Sequence, residues 1–247
     1  RLPGVPVLVG ASRYDAGRIA EDQLGATVHV MDDGFQHLGL ARDVDLLVTS
    51  EEDLSEQLLP AGHLREPLDA AAFADAALVV TGDAEVADRV AAALRVPVAF
   101  RVTRALGPAA TIAGEPVAIA AGTRVFLVAG IARPGRFFDD AVSAGWHVVG
   151  TMAFRDHHWF DERDLARIAR TAQSRGADLV LTTEKDAVRL REPTIGALRV
   201  AVLPLAAGIE PAGAFLDWLL RRIRARAREA DGAPAAAREE HRSNRSC

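Results

Sequence analysis

"ALVVTGDAEVADRVAAALRVPVAF" (residues 77–100) reads as one repeat of a simple pattern. An apolar run, Ala77–Thr81, is followed by a helix-length Ala/Glu/Arg segment, Ala84–Leu94, and by a second apolar run, Val96–Val102. Short Val/Leu-rich runs alternating with helix-length segments are the mark of βα units around a mostly parallel sheet. The alternation extends upstream, predicting strands at Val5–Gly10, Thr27–Met31 and Asp45–Thr49 and helices at Asp15–Leu24 and Leu68–Ala74. Downstream it predicts strands at Val125–Ala129, His147–Ala153, Asp178–Thr182 and Arg199–Pro204, with helices at Gly135–Ala144, Asp161–Arg175 and about Ala212–Arg228. The pattern breaks only at "TRALGPAATIAGEPVAIA" (103–120), whose Gly-Pro and Gly-Glu-Pro steps suggest a hairpin or two-strand connector. The expected organisation is therefore α/β throughout: a first domain over 1–102, a two-stranded linker over 103–120, a smaller second domain over 121–229, and a disordered polar tail over 230–247.

Composition narrows the function classes. With 247 residues, 49% of them hydrophobic, the chain can bury a sizeable core and fill one large domain or two small ones. A net charge of -5 and the lack of a Lys/Arg face interleaved with aromatics argue against a nucleic-acid partner. The single cysteine, Cys247, excludes a disulfide framework. No run of about 18 apolar residues and no signal-peptide start is present, so the visible chain reads as soluble or peripheral. Residue 1 is Arg rather than Met, and Lys185 is the sole lysine.

Five stretches carry polar residues at the ends of apolar runs, where ligands of open α/β sheets sit. "VHVMDDGFQH" (28–37) ends on two adjacent carboxylates, Asp32 and Asp33. Such neighbours repel, and Mg²⁺ carrying a polyphosphate is a counter-charge that makes the pairing favourable. The competing reading is a solvated turn with Gly34 at positive φ; Gln36 and His37 tip the balance toward a site. In "LPAGHLREP" (59–67), Arg65 offers a planar fork for phosphate oxygens, or else pairs with Glu66 on the surface. "FRDHHWF" (154–160) presents adjacent histidines, of which at most one serves a given site. Asp156, or a carboxylate across an interdomain cleft, would orient that one, while Asp161 caps the next helix. "TTEKDAVRL" (182–190) is either a helix N-terminus with local ion pairs or a cleft segment using Thr183, Glu184 and Lys185. "AGIARPGRFFDDAVSAG" (129–145) could accept an anion at its helix opening through Arg133 and Arg136, with Phe137 and Phe138 in the core. Near the end, "FLDWLLRRIRARARE" (215–229) is an amphipathic helix that either docks on its own domain or lies on an anionic membrane; docking is the commoner outcome.

The collinear set "MDDGFQH", "LPAGHLREP", "AGIARPGRFF", "FRDHHWF" and "TTEKDAVRL" resembles the tetraacyldisaccharide 4'-kinases of Gram-negative bacteria over about Val5–Leu220. The resemblance implies MgATP-dependent phosphorylation of the 4' hydroxyl of tetraacyldisaccharide 1-phosphate, giving lipid IVA at the cytoplasmic face of the inner membrane. It implies a P-loop kinase domain joined by a two-stranded linker to a smaller α/β domain. Carried over by motif, Asp33 would hold Mg²⁺, Asp32 would position or relay charge, and Arg65 would contact the transferring phosphate or substrate. Gln36 and His37 would line the same pocket, and His157 would be the histidine of an Asp–His pair that helps activate the sugar hydroxyl. Arg155 stands where the family usually has proline, which should alter the loop more than the chemistry.

The family's phosphate loop, Gly-x-x-x-x-Gly-Lys-Ser/Thr, does not occur in these residues, because the sole lysine lies inside "TTEKDAV". The acid that partners the histidine and the hydrophobic N-terminal segment are missing as well. The expectation is an N-terminally truncated copy that turns over little or no ATP by itself, with a loosely packed first domain. Two alternatives stand beside it: a metal-dependent hydrolase or sugar-nucleotide transferase built on Asp32, Asp33 and His157, and a non-catalytic lipid-binding remnant.

Overall fold

The computed structural model describes residues 4–232. In chain order the elements are α1 (Arg13–Leu24), β1 (Leu46–Thr49), β2 (Ala76–Val80), α2 (Ala84–Leu94), β3 (Ala99–Leu106), β4 (Arg124–Ala129), α3 (Pro134–Ser143) and β5 (His147–Ala153). They continue with α4 (Glu162–Ser174), β6 (Leu179–Thr183), α5 (Glu184–Leu190), β7 (Thr194–Ile195), β8 (Leu198–Leu203), β9 (Leu205–Glu210) and α6 (Ala212–Gly232). Short 3-10 turns cover Glu51–Ser55 and Leu68–Phe73. The chain forms two compact units, one running to Val102 and resuming at Ile209, the other spanning Thr103–Gly208.

The first unit is a sheet ordered β1-β2-β3-β9, with β1, β2 and β3 parallel. Its centre is β2, "AALVV", whose successive side chains point to opposite faces. Ala77 and Val79 face α2, where Ala87, Val90, Ala91 and Leu94 form a stripe at helical spacing. Asp83 starts that helix by accepting from the Glu85 N–H at 2.9 Å, and Arg95 ends it in the left-handed region. On the other face, Ala76, Leu78 and Phe100 meet Phe215 and Trp218 of α6. The Phe100 ring lies 5.1 Å from Phe215 and 5.6 Å from Trp218, contacts worth about 0.5–1.5 kcal/mol per pair beyond the area they bury. Arg222 adds an ion pair with Asp75.

The closing helix departs from the expected second domain over 121–229. It belongs with the first sheet, because its aromatic stripe covers the face of β2 and β3 that α2 leaves open. It also extends to Gly232, past the expected start of the tail, whose remaining residues, 233–247, lie outside the described residues. The expected strands at Val5–Gly10 and Thr27–Met31 do not form. Both segments are irregular, with Val7, Val9 and Val30 at 85%, 96% and 94% exposure. An alternating valine pattern makes a strand only where a neighbour takes up its backbone hydrogen bonds, and no described strand lies beside these two. Between them α1 stands on good caps, Ser12 and Gly25, with Ala20 as its one buried residue.

The second unit is a sheet ordered β5-β4-β6-β8-β7, parallel except for β7. Its central strands are buried on both faces. Phe126, Val128 and Val180 pack with Ile168 and Ala172 of α4, and Val125, Leu127 and Leu181 pack with Phe137 and Ala141 of α3. Residues 103–120 form no separate linker: β3 continues to Leu106, a tight turn closes with Thr111 N donating to Glu115 O at 2.7 Å, and Ala110 bridges to Val202 of β8. The chain passes between units within β3 and β9 instead. The strand β9 escaped sequence reading because "LAAGIE" is poor in β-branched and aromatic residues.

Candidate active-site residues and family membership

In the first unit, "MDDGFQH" is a tight loop anchored by Phe35, which packs on the α2 core. Asp33 itself takes the left-handed conformation, φ 51°, and Gly34 does not. Gly34 is needed for another reason: a Cβ there would lie 2.8 Å from the Met31 Cβ. Asp32, Asp33 and Gln36 are exposed, and His37 is half-buried with its carbonyl accepting from Arg42 at 2.7 Å.

Arg65 comes to this loop from "LPAGHLREP". Leu58 and Leu64 pair across the base of that segment, with Leu59 N donating to Leu64 O at 2.9 Å and Leu64 N to Gln57 O at 3.0 Å. The closure leaves no room at Gly62, where a Cβ would fall 2.2 Å from the Gln57 carbonyl oxygen. Glu56 is held below the usual carboxylate range, chiefly by the Gln57 N–H and then by His63. The result places Arg65 Nη2 3.5 Å from Asp33 Oδ2, with the side chains 60% and 70% exposed. An exposed pair of this kind contributes little to stability, so both groups stay available to a ligand.

In the second unit the two histidines part company. His158 is half-buried, stacks on Phe154 at 4.7 Å and bonds Asp164 at 2.6 Å. Burial pushes the Asp164 carboxyl up, but the His158 bond and the Asp161 N–H outweigh it and the net shift is downward. Asp164 also completes the capping box of α4 with Asp161, so this histidine is part of the framework. His157 is different: 74% exposed, at φ 58°, with its N–H donating to Gly130 O at 3.1 Å. Its Nδ1 lies 2.7 Å from Arg189 Nη2, whereas Asp156 Oδ2 stands 3.6 Å from Nε2, beyond a hydrogen bond. The ring's hydrogen-bond partner is therefore Arg189, while Asp156 Oδ1 accepts from the His157 backbone N–H at 2.9 Å; sequence reading missed Arg189 because 32 residues separate it from His157.

"TTEKDAVRL" supplies that partner. Thr183 is buried and caps α5, its Oγ1 accepting from Asp186 N at 3.1 Å, while Glu184 and Lys185 are exposed. Asp186, inside what looks like a charge run, is fully buried. It accepts from Gly130 N at 3.0 Å and Thr183 Oγ1 at 2.7 Å, and its Oδ1 lies 3.7 Å from Arg189 Nη1.

The family model for tetraacyldisaccharide-1-P 4'-kinase matches residues 1–224. The chain belongs to this family. A tetraacyldisaccharide 4'-kinase of Koribacter versatilis is 37% identical over 220 residues, 89% of this chain and 65% of that protein. Its counterpart in Afipia carboxidovorans is 36% identical over 231 residues, 92% of this chain and 66% of that protein. The chain thus spans slightly less than two thirds of the length of these relatives. Among solved structures, LpxK from Aquifex aeolicus in complex with ATP shares the fold at a TM-score of 0.58, with 26% identity over 85% of this chain and 62% of that one.

The kinase family membership bears on the expected metal. No group of three or more His, Cys, Asp or Glu suited to a metal ion occurs among the described residues, so no all-protein cage exists there. An exposed carboxylate such as Asp33 still fits Mg²⁺, which keeps waters and is commonly bound through one or two carboxylates plus substrate phosphates. Among the described residues no helix is long and apolar enough to cross a membrane.

Proposed function

We propose that the chain serves a kinase that transfers the γ-phosphoryl group of ATP to the 4' hydroxyl of tetraacyldisaccharide 1-phosphate, giving lipid IVA. The protein would act peripherally at the cytoplasmic face of the inner membrane, where that lipid is accessible. One backbone observation carries the assignment of residues. Among the described residues four non-glycine positions have positive φ: Arg95 and Arg191 are helix C-caps, and the other two are Asp33 and His157. A left-handed residue outside a cap costs on the order of 1–3 kcal/mol and persists where function needs the side chain aimed.

Phosphoryl transfer asks a protein mainly to position groups and to neutralise charge spread over the equatorial phosphate oxygens. Arg65 offers its fork to those oxygens, and Asp33 beside it would hold Mg²⁺. When bound, the ion would supply charge neutralisation for the transferring phosphates. Asp32, next in the chain, orients the same groups, and Gln36 and His37 line the phosphate side. His157 contacts the acceptor hydroxyl. Family membership and the Asp33–Arg65 pairing support this reading.

The test uses the protein as its gene encodes it, with γ-labelled ATP, Mg²⁺ and tetraacyldisaccharide 1-phosphate. The label should enter the lipid at the 4' position. Metal-dependent hydrolysis of the lipid without ATP, or lipid binding with no transfer of label, would overturn the proposal.

A further inference from the structure

The site loop of the first unit has no regular structure to hold it. Between Met31 and β1 the chain makes only short turns, with His37 N donating to Gly34 O at 3.0 Å and Leu38 N to Gln36 O at 3.1 Å. Phe35 ties the loop to the α2 core by apolar contact. A single arginine supplies the polar tie. Arg42 Nη1 donates to His37 O at 2.7 Å and to Leu40 O at 3.3 Å, while Nε and Nη2 meet Asp45 Oδ1 and Oδ2 at 2.5 and 3.2 Å. The guanidinium thus has one edge on a carboxylate and its other end on two loop carbonyls, a geometry that needs a rigid planar fork. Both side chains are shielded, 17% exposed for Arg42 and 22% for Asp45, unlike the open Asp33–Arg65 pair. Asp45 is seated in turn: its N–H donates to Asp75 Oδ2 at 2.8 Å, its carbonyl accepts from Asp75 N at 2.9 Å, and the other Asp75 oxygen pairs with Arg222 of α6. The loop carbonyls are thereby referred to the start of β1 and β2.

We propose that Arg42 is a positioning residue for phosphoryl transfer: anchored on Asp45, it clamps the carbonyls of His37 and Leu40 and so fixes the loop that presents Asp32, Asp33, Gln36 and His37. The catalytic consequence rests on the kinase reading above; the clamp does not. Arg42 touches no reacting atom in this role. Phosphoryl transfer depends on groups held in place before reaction, and a displacement of about 1 Å can cost about 10²-fold. A loop without strand or helix pairing has no such precision of its own, because water satisfies its amide and carbonyl groups equally well in many other conformations. The clamp removes that freedom at His37 and Leu40, beside Gln36. A structural ion pair would need only Arg42 and Asp45; the two carbonyl bonds are what assign the guanidinium to the loop.

Two measurements on the protein as its gene encodes it test this. In amide hydrogen exchange, Arg42→Met should speed exchange across residues 32–42 by about tenfold or more, with peptides of α2 and of the second unit unchanged. In single-turnover transfer from γ-labelled ATP to tetraacyldisaccharide 1-phosphate, with protein in excess, the same variant should lower the first-order rate constant about 10- to 100-fold. A merely structural role would lower the amplitude, through a smaller folded fraction, and leave that rate constant alone. Arg42→Lys keeps a charge beside Asp45 without the planar fork, so it should regain the amplitude and stay at least about fivefold slow. Asp45→Asn should add less than about twofold to the slowing by Arg42→Met, because both break one clamp. Unchanged exchange in residues 32–42, or losses from the two substitutions that multiply, would overturn the clamp. A rate constant for Arg42→Met within about threefold of the unmodified protein, or full recovery of the rate with Arg42→Lys, would overturn the positioning role. Absence of transfer in the unmodified protein would refute the kinase reading and the positioning role together, leaving the clamp to be decided by exchange.

Discussion

Replacing Asp186 by alanine removes a fully buried carboxylate from the junction of β4, β6 and α5. Three interactions go with it: the bonds from Gly130 N at 3.0 Å and Thr183 Oγ1 at 2.7 Å, and the 3.7 Å pairing with Arg189. Hydrogen bonds to a charged acceptor are worth about 1.5–3 kcal/mol each, and removing one member of a buried charge pair costs about 3–5 kcal/mol. These terms overlap, since the Gly130 N–H left behind in the core is part of both. The expected loss is therefore about 3–5 kcal/mol for the second unit, against a typical domain stability of about 5–15 kcal/mol. Asp186→Asn keeps an acceptor but not the charge and should cost about half as much. Amide hydrogen exchange followed by mass spectrometry reads this locally: peptides covering β4 and β6 should show the full drop in opening free energy, while those covering β2 and α2 should not change. A loss below about 1 kcal/mol in the β4 and β6 peptides would mean that Asp186 does not tie these strands together.

Other outcomes follow from single features. Asp178 is pulled down to about 2, first by the Arg124 side chain and then by its backbone N–H. A depressed carboxylate contributes stability above its unfolded value of about 3.9 and loses it as pH falls through the folded value, so the second unit should weaken between about pH 4 and pH 2. Asp178→Asn should flatten that part of the acid-unfolding curve; an unchanged curve contradicts the assignment. Gly62→Ala forces a Cβ against the Gln57 carbonyl and should distort the Arg65 loop at a cost of about 1–3 kcal/mol, seen as faster exchange in residues 57–67 with the second unit unaffected. Between residues 4 and 40 only Ala20 and Gly34 are buried, so limited trypsin digestion should cut at Arg13 and Arg18 well before any arginine of α4. Early cleavage in α4 would contradict the packing of that helix on β4 and β6.

Periodicity made most of the framework legible. The run 77–100 folds as read, with α2 at Ala84–Leu94, because β2 is buried on both faces and the helix carries one apolar stripe and a capping Asp83. What could not be read were the partners. The valines of Val5–Gly10 and Thr27–Met31 carry strand propensity without a described neighbour, and the aromatics of α6 say that a face is covered without saying which sheet supplies it. The site shows the same limit. Asp33, Arg65 and His157 stood out as polar residues in loops at the ends of apolar runs, and Asp33 meets Arg65. Asp186 looked like one charge among Glu184 and Lys185, and only burial separates it from them.

If Asp33 serves the phosphoryl group and His157 the acceptor, their loss must show in the transfer step itself. Single-turnover transfer from ATP to tetraacyldisaccharide 1-phosphate, measured in the gene-encoded protein with Asp33→Asn and with His157→Ala, reads that step. Each variant should slow transfer by about 10²-fold or more, with ATP affinity weakened by the first and unchanged in the second. Rates within about threefold of the unmodified protein in either variant would contradict the division of roles between the two residues.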